Sequence, residues 1–198
     1  MAVLLVVSAT AGAIDITWVG SASSVWNTID TNWDSTGDGV ADTTFSSGDN
    51  VFFTNAGPSS ITLSGTVDPG TMDFTGQSYA LSGGTLGGGT ASTATALTTS
   101  VDLTLQTTTS YTGQTAVSNS SLLHFQAQSA GTHNLGSDGV TRGDQSNLRF
   151  TGATTGAYEL ASDITAGQGS DLQWHGTSAS STTFSGAVTA AGSLLDFN

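Results

Sequence analysis

Three closely spaced aspartates near the N-terminus, Asp34, Asp38 and Asp42, are the clearest candidates for metal chemistry. Calcium prefers six to eight oxygen ligands, several of them from carboxylates, and a glycine lets the chain turn tightly around the ion. Glycines stand on both sides of Asp38, so the segment 34–42 is a candidate calcium loop. The alternative is a solvated turn between two strands, because Thr36 replaces the usual middle carboxylate and the final glutamate of an EF-hand loop is absent.

Two further carboxylates, Asp138 and Asp163, are separated by 25 residues. Carboxylates about 5–10 Å apart can act as the acid and the base or nucleophile of a glycosidase. Each of these aspartates follows a serine in a turn-like context, and the chain nearly lacks the cations with which polysaccharide lyases neutralise a uronate. We therefore expect exposed turn residues here, and we expect no catalytic or cofactor-binding residues in this chain.

The three histidines, His124, His133 and His175, lack the paired spacing of metal ligands. His124 alternates with apolar neighbours and His175 follows Trp174, so both are expected at the surface. Asn119 begins a formal Asn-Ser-Ser glycosylation sequon.

The composition is acidic but poor in charge. The 198 residues include 15 Asp and Glu and only two basic residues, Arg142 and Arg149, which gives a formal net charge of −13 with 9% charged residues. Soluble domains typically carry about 25% charged residues, so serine and threonine must form most of this surface. Nucleic acids and anionic membranes both require clustered cations, so neither partner is expected. The absence of cysteine excludes disulfides and thiolate metal sites.

The first residues have the pattern of an export signal. Residues 2–7 form an apolar run, and small residues follow up to Ala13. The run is much shorter than the roughly 20 residues that cross a bilayer, and Ala11 or Ala13 suits cleavage by a signal peptidase. We interpret residues 1–13 as a signal-peptide remnant, with a short buried strand as the alternative. The mature chain is then expected to be secreted, without an integral membrane span.

Tripeptides of the type apolar–polar–aromatic recur at spacings of 25, 24 and 23 residues. Alternate side chains of a strand point to opposite faces, so the apolar and aromatic residues should point inward and the middle residue outward. Two other series run in phase with these tripeptides. The three series are Leu123-His124-Phe125, Leu148-Arg149-Phe150, Leu172-Gln173-Trp174 and Leu195-Asp196-Phe197; then Val140-Thr141, Ile164-Thr165 and Val188-Thr189; then Tyr111, Leu135, Leu160 and Phe184.

A repeat of about 24 residues with short strands and small-residue turns is typical of one coil of a parallel β-helix. We therefore predict an all-β solenoid over residues 58–198, with coils about 4.8 Å apart and the aromatic residues in one internal column. Upstream, Met72-Asp73-Phe74 is expected in the same column as Leu123, two repeats earlier. The Gly- and Thr-rich stretch 83–100 is either a thin coil or a loop. Because the last residues form an uncapped strand, we expect the coils to continue beyond residue 198.

Residues 14–57 differ from the repeats, with Trp18, Trp26 and Trp33 followed by an apolar run. Terminal repeats of solenoids are atypical because they close an open core. We interpret this segment as a Trp-rich N-terminal cap over the first coil. The alternative is an exposed aromatic patch that stacks against sugar rings.

The motif order in residues 14–57, W-x-G, W-N, N-W-D and G-D-N-V-F-F, resembles the opening of bacterial surface proteins with autotransporter-associated β-strand repeats, also called passenger-associated transport repeats. The stretch from Leu103 to Leu123, with Tyr111-Thr112-Gly113 at its centre, is similar to the core of that repeat. It departs from the pattern at Asn119-Ser120-Ser121, where a glycine is usual. The resemblance implies a right-handed parallel β-helix stalk, displayed on or shed from a bacterial surface, and it implies no catalytic residues.

These observations favour a non-enzymatic exported protein, structural or adhesive, that is secreted or associated with the outer membrane at the bacterial cell surface. Cell-surface or matrix glycans, or further copies of the chain, are the expected partners. The alternative is a carbohydrate-binding or polysaccharide-degrading protein on the same scaffold. Clustered aspartates in a cleft beside an aromatic platform would favour that alternative, and a smooth rod would favour the stalk.

Overall fold

A computed structural model of the chain describes residues 12–87, 96–118, 120–153, 155–176, 181–190, 192 and 194–197. These residues form twenty β-strands and no helix, and accordingly none of them belongs to a helix that could cross a membrane. The strands are β1 (Asp15–Trp18), β2 (Val25–Trp26), β3 (Trp33–Asp34), β4 (Asn50–Phe53), β5 (Ser60–Val67), β6 (Thr71–Phe74), β7 (Tyr79–Leu86), β8 (Ala96–Thr99), β9 (Leu103–Thr109), β10 (Thr115–Val117), β11 (Leu122–Ala127), β12 (Gly131–His133), β13 (Val140–Arg142), β14 (Asn147–Gly152), β15 (Ala157–Leu160), β16 (Ile164–Ala166), β17 (Asp171–His175), β18 (Ser181–Phe184), β19 (Val188–Ala190) and β20 (Leu194–Phe197).

The strands form three sheets whose neighbours come from successive passes of the chain. The first sheet has nine strands in the order β19-β16-β13-β10-β8-β6-β4-β1-β3, the second has eight in the order β2-β5-β7-β9-β11-β14-β17-β20, and the third has three, β12-β15-β18. Among these strands, β1 and β3 pair antiparallel and the other ladders are parallel. The described chain is therefore an all-β parallel β-solenoid, as the repeat predicts.

Two of the three predicted series stack in register. Their inward positions are apolar and their outward positions polar. The inward side chains are buried on β11, β13, β14, β16 and β17, whereas Val188 on β19 is 37% exposed. Along the aromatic column the ring centroids of Phe125 and Phe150 are 5.4 Å apart, and those of Phe150 and Trp174 are 4.8 Å apart. The paired positions are Leu123, Leu148, Leu172 and Leu195 in one column, Phe125, Phe150, Trp174 and Phe197 in the next, and Val140, Ile164 and Val188 in the first sheet.

The column predicted for Met72-Asp73-Phe74 is wrong. This segment is β6 of the first sheet and pairs with β4 and β8, whereas Leu123 lies on β11 of the second sheet. Counting a constant repeat upstream loses the phase because the upstream coils differ in length. In the first sheet Val51 pairs with Met72, Met72 with Leu97 and Leu97 with Thr115, so the number of residues per coil varies there.

The third predicted series holds only in its last step. Leu160 pairs with Phe184, but its partner on β12 is His133 and not Leu135. Leu135 and Tyr111 are buried just after β12 and β9. They contribute to the core from the turns and not from a strand ladder.

Three predictions fall wholly or partly outside the described residues. The signal-peptide remnant lies there as far as residue 11, as does Asn119 of the sequon. The stretch 83–100 is described only at its ends, where β7 runs to Leu86 and β8 begins at Ala96.

Candidate functional site

The carboxylate of Asp34 organises the turn that follows β3. Its Oδ1 accepts hydrogen bonds from the backbone N–H groups of Thr36 and Gly37 at 2.8 and 2.7 Å, and its Oδ2 accepts one from Gly39 at 2.7 Å. Burial alone would raise the pKa of Asp34, but the backbone donors of Gly39, Gly37 and Thr36 outweigh it and hold the pKa below its ordinary value of 3.8. The turn is therefore built around a charged carboxylate.

The other two aspartates of the candidate calcium loop have separate hydrogen-bond partners. Asp38 Oδ1 accepts a bond from the backbone of Val40 at 2.9 Å, and Asp42 Oδ1 accepts one from the backbone of Ser35 at 2.9 Å. Across the described residues, no group of three or more His, Cys, Asp or Glu side chains is placed to hold a metal ion. This geometry favours the solvated turn. Calcium binding by Asp34, Asp38 and Asp42 stays a prediction, which calorimetry with calcium would test.

Asp138 and Asp163 are exposed residues between strands. Asp163 Oδ1 accepts a hydrogen bond from the backbone N–H of Ala187 in the next coil at 2.7 Å. The same bond between coils recurs from Leu122 to Asp102 at 3.0 Å and from Gln168 to Asp144 at 2.9 Å. These carboxylates therefore cross-link neighbouring coils, a role that the spacing of the aspartates alone does not reveal.

Trp18, Trp26 and Trp33 form the centre of a buried aromatic cluster and are fully inaccessible to solvent. The ring of Trp33 lies edge-to-face against Trp18 at 5.1 Å and against Trp26 at 5.3 Å. All three also pack on Phe53, which stacks on Phe74 of the next coil at 4.4 Å. A sugar platform needs an exposed ring face, so these tryptophans do not form the aromatic patch of the alternative interpretation.

The outer face of the second sheet carries a patch of polar side chains from β11, β14 and β17. In register, His124 lies next to Arg149 and Arg149 next to Gln173, while Thr151 lies next to His175. His124 Nε2 and Thr151 Oγ1 are 2.9 Å apart, and Arg149 Nε donates to Gln173 Oε1 at 3.0 Å. Burial, together with the positive charges of Arg149 and His175, lowers the pKa of His124 below its ordinary value of 6.5. The repeat already places His124, Arg149 and Gln173 outward in successive coils, but it does not reveal that Thr151 and His175 join them.

A shallow groove with a volume of about 390 Å³ lies on the third sheet, lined by Gly131, Thr132, Ala157, Tyr158, Glu159 and Thr183. Thr132 Oγ1 donates to Glu159 Oε2 at 2.7 Å. Hydrogen bonds from Ser185 and Thr132 lower the pKa of Glu159. One carboxylate cannot supply both the acid and the base of a glycosidase, so the groove offers polar contacts without that constellation.

Arg142 is buried, which was not predicted from the sequence. It follows Val140 by two residues on β13, so the alternation of the strand turns it inward, and it is 2% exposed. Its Nη1 donates to the backbone carbonyl of Asp171, while Nε and Nη2 are buried without a partner among the described residues. Burial lowers the pKa of Arg142 to about 10, against the opposing charge of Asp171. It therefore stays charged at neutral pH.

No protein-family model matches this chain, and no curated protein or solved structure matches it either. The fold follows from the strand pairings of this chain. The resemblance to autotransporter-associated repeats is based on sequence motifs alone and stays a prediction.

Proposed function

We propose that this chain forms part of an exported bacterial surface stalk with a structural or adhesive, non-enzymatic role. The observation that carries the proposal is the unbroken series of parallel strand pairs in the second sheet from β2 to β20. Each coil adds apolar side chains to a core that runs along the axis, so the solenoid lengthens by repetition. A stalk needs this property, because its reach grows by about 4.8 Å with every coil.

The outer surface of the first sheet also supports a stalk. Thr141, Thr165 and Thr189 are exposed and stand in register on β13, β16 and β19. Such a row offers neutral hydroxyl groups for adhesion or assembly. The net charge of −13 keeps neighbouring rods soluble and mutually repelling. The motif resemblance in residues 14–57 and around Tyr111 is the ground for placing the chain on a bacterial surface as an autotransporter-like passenger.

A polysaccharide-degrading or carbohydrate-binding role has less support. The tryptophans that would stack on sugars are buried, and the groove on the third sheet presents one carboxylate, Glu159. We therefore retain the stalk as the function to test first.

Protease accessibility on intact cells tests the proposal directly. In the native bacterium, externally added proteinase K should remove the chain, detected with antibodies against the purified protein, while a cytoplasmic marker protein stays intact. A surface protein shed into the medium should appear in the culture supernatant. Full protection from the protease, with release only when the cytoplasm is opened, would overturn the proposal.

Negative-stain imaging of the full-length protein tests the shape that the stalk requires. We expect a straight rod whose length scales with the number of coils. A compact particle would contradict the stalk, and end-to-end filaments would identify a fibre subunit in its place.

A further inference from the structure

Positive charge is scarce in this chain, and most of the groups that can carry it meet on one surface. The chain has two arginines and three histidines. Arg142 is buried, and the ring of His133 packs against aromatic rings of the core. The other three, His124, Arg149 and His175, lie on neighbouring strands at outward positions of the second sheet. We call these three residues the basic patch.

Hydrogen bonds among the described residues hold the basic patch in position. Arg149 Nε donates to Gln173, which fixes the guanidinium plane. This bond uses Nε and not the two terminal nitrogens, which form one of the donor pairs that a guanidinium can present to an oxyanion. His124 is held by Thr151, and all three basic side chains are half-buried. Less side-chain entropy is therefore lost on binding than for free surface side chains.

Carboxylates surround the basic patch and limit its extent. Asp171 lies on β17, where its backbone carbonyl accepts a hydrogen bond from the buried Arg142. The positive charge of Arg142 partly balances the negative charge of the Asp171 carboxylate. Asp196 stands next to Gln173 in the same row, and Asp102 accepts a backbone N–H at the start of β11. A dense polyanion would meet these carboxylates and the overall negative charge. A chain with isolated anionic groups would meet the basic patch alone.

We infer that the basic patch binds an oxyanion, a sulfate, phosphate or carboxylate group, carried at isolated positions on a polysaccharide. The inference rests on the proposed surface function, which brings the patch to polysaccharides. Arg149 clamps the oxyanion, and the rings of His124 and His175 donate hydrogen bonds to it. The sugar hydroxyls bond to the neutral side chains on the same face, which are Gln126, Asn147, Thr151 and Gln173.

Binding should depend on pH because the ring of His124 carries a positive charge only when it is protonated. Burial and the neighbouring positive charges lower the pKa of His124, so this ring gains its proton only below its ordinary range. Affinity should therefore rise several-fold from about pH 7.5 to about pH 5.5. The other charged groups around the two rings are Asp102, Arg149, Asp171 and Asp196.

The test is binding of lightly sulfated dextran to the full chain at low salt, measured by biolayer interferometry at both pH values. Arg149→Gln should weaken binding about tenfold or more. The double variant His124→Gln/His175→Gln should bind with the same affinity at both pH values. Ile29→Glu, which makes the same change in net charge at a position that is 81% exposed in the N-terminal region, is the matched control and should change affinity by less than about twofold. Circular dichroism checks that each variant folds.

Unmodified dextran should not bind, densely sulfated dextran should bind more weakly than the lightly sulfated form, and inorganic sulfate should compete. Equal losses of affinity for Arg149→Gln and Ile29→Glu would mean that only the net charge of the chain governs binding, and would overturn the inference. A chain that is accessible on cells but binds no sulfated dextran refutes the patch and leaves the stalk intact. A chain that binds but stays protected inside cells refutes the stalk alone.

Discussion

The N-terminal region and the later coils build their cores in different ways. In residues 14–57, three tryptophans and two phenylalanines pack mainly edge-to-face in one cluster, and β1 pairs both parallel with β4 and antiparallel with β3. On β11, β14 and β17, the rings of Phe125, Phe150 and Trp174 each stack on the ring one coil away. The first region is a single cluster without a repeat, and the second is a ladder of equivalent steps.

This difference predicts different responses to mutation. In a ladder, a residue interacts mainly with its neighbours in adjacent coils, so damage stays local and interaction energies follow the register. In the cluster, every ring contacts several others, so the loss of one ring loosens all of them. Phe53 of the cluster also stacks on Phe74 of the next coil, so the largest single effect is expected in this cluster.

The largest effect is predicted for Trp33→Ala. Trp33 is fully buried and contacts Trp18, Trp26, Phe45 and Phe53 with ring centroids 5.1 to 6.1 Å apart. Truncation leaves a large cavity, and the free energy of unfolding should fall by about 3–5 kcal/mol. Urea denaturation followed by circular dichroism measures this loss.

The matched control in the same region is Ile29→Ala. Ile29 is 81% exposed, so its truncation should change the free energy of unfolding by less than about 0.5 kcal/mol. A loss below about 1 kcal/mol for Trp33→Ala would mean that the aromatic cluster does not support the fold.

A smaller effect, specific to the ladder, is predicted for Phe150→Leu and Trp174→Leu. The two rings stack at 4.8 Å with an interplanar angle of 30°. A double-mutant cycle should give a coupling of about 0.5–1.5 kcal/mol between them. The same cycle between Phe150 and Phe45, which belong to different regions, should be additive within about 0.5 kcal/mol. Equal coupling in both cycles would remove the distinction between ladder and cluster.

The ladder is also the part of the fold that the sequence predicts best. Leu123, Leu148 and Leu172 are spaced evenly because strands in register bury equivalent residues, so the spacing itself reports the stacking. Upstream, the coils vary in length, and Met72 falls in another sheet than a constant repeat implies. A repeat count fails wherever turns gain or lose residues.

The candidate sites depend on contacts that the sequence does not encode as a motif. Alternation places His124 and Arg149 outward, but their meeting with His175 depends on the register between three strands. The same alternation would have identified Arg142 as inward, since Val140-Thr141-Arg142 continues an inward–outward–inward pattern. Asp34 is recognisable as a residue of a tight turn. Its three backbone donors follow from the conformation of that turn.

The smallest predicted effect concerns how the stability of the fold changes as the pH becomes acidic. Because the backbone donors keep the pKa of Asp34 below 3.8 in the folded state, its charge stabilises the fold fully above the unfolded-state pKa. This contribution is lost as pH falls through the lowered pKa. Asp34→Asn should therefore be less stable than the wild type at neutral pH. Between neutral pH and about pH 3 the variant should lose less stability than the wild type does, which thermal unfolding over that range measures.

Asp73 supplies the matched control of opposite sign. Burial raises the pKa of Asp73 on β6, so the charged form opposes folding, and stability is gained as pH falls through the raised pKa. Asp73→Asn should therefore stabilise the protein slightly at neutral pH, where Asp34→Asn destabilises it. If both substitutions changed the stability at neutral pH in the same direction, the net charge of the chain, and not the backbone donors around Asp34, would determine how stability depends on pH. The N-terminal region would then depend, like the coils, on its apolar packing alone.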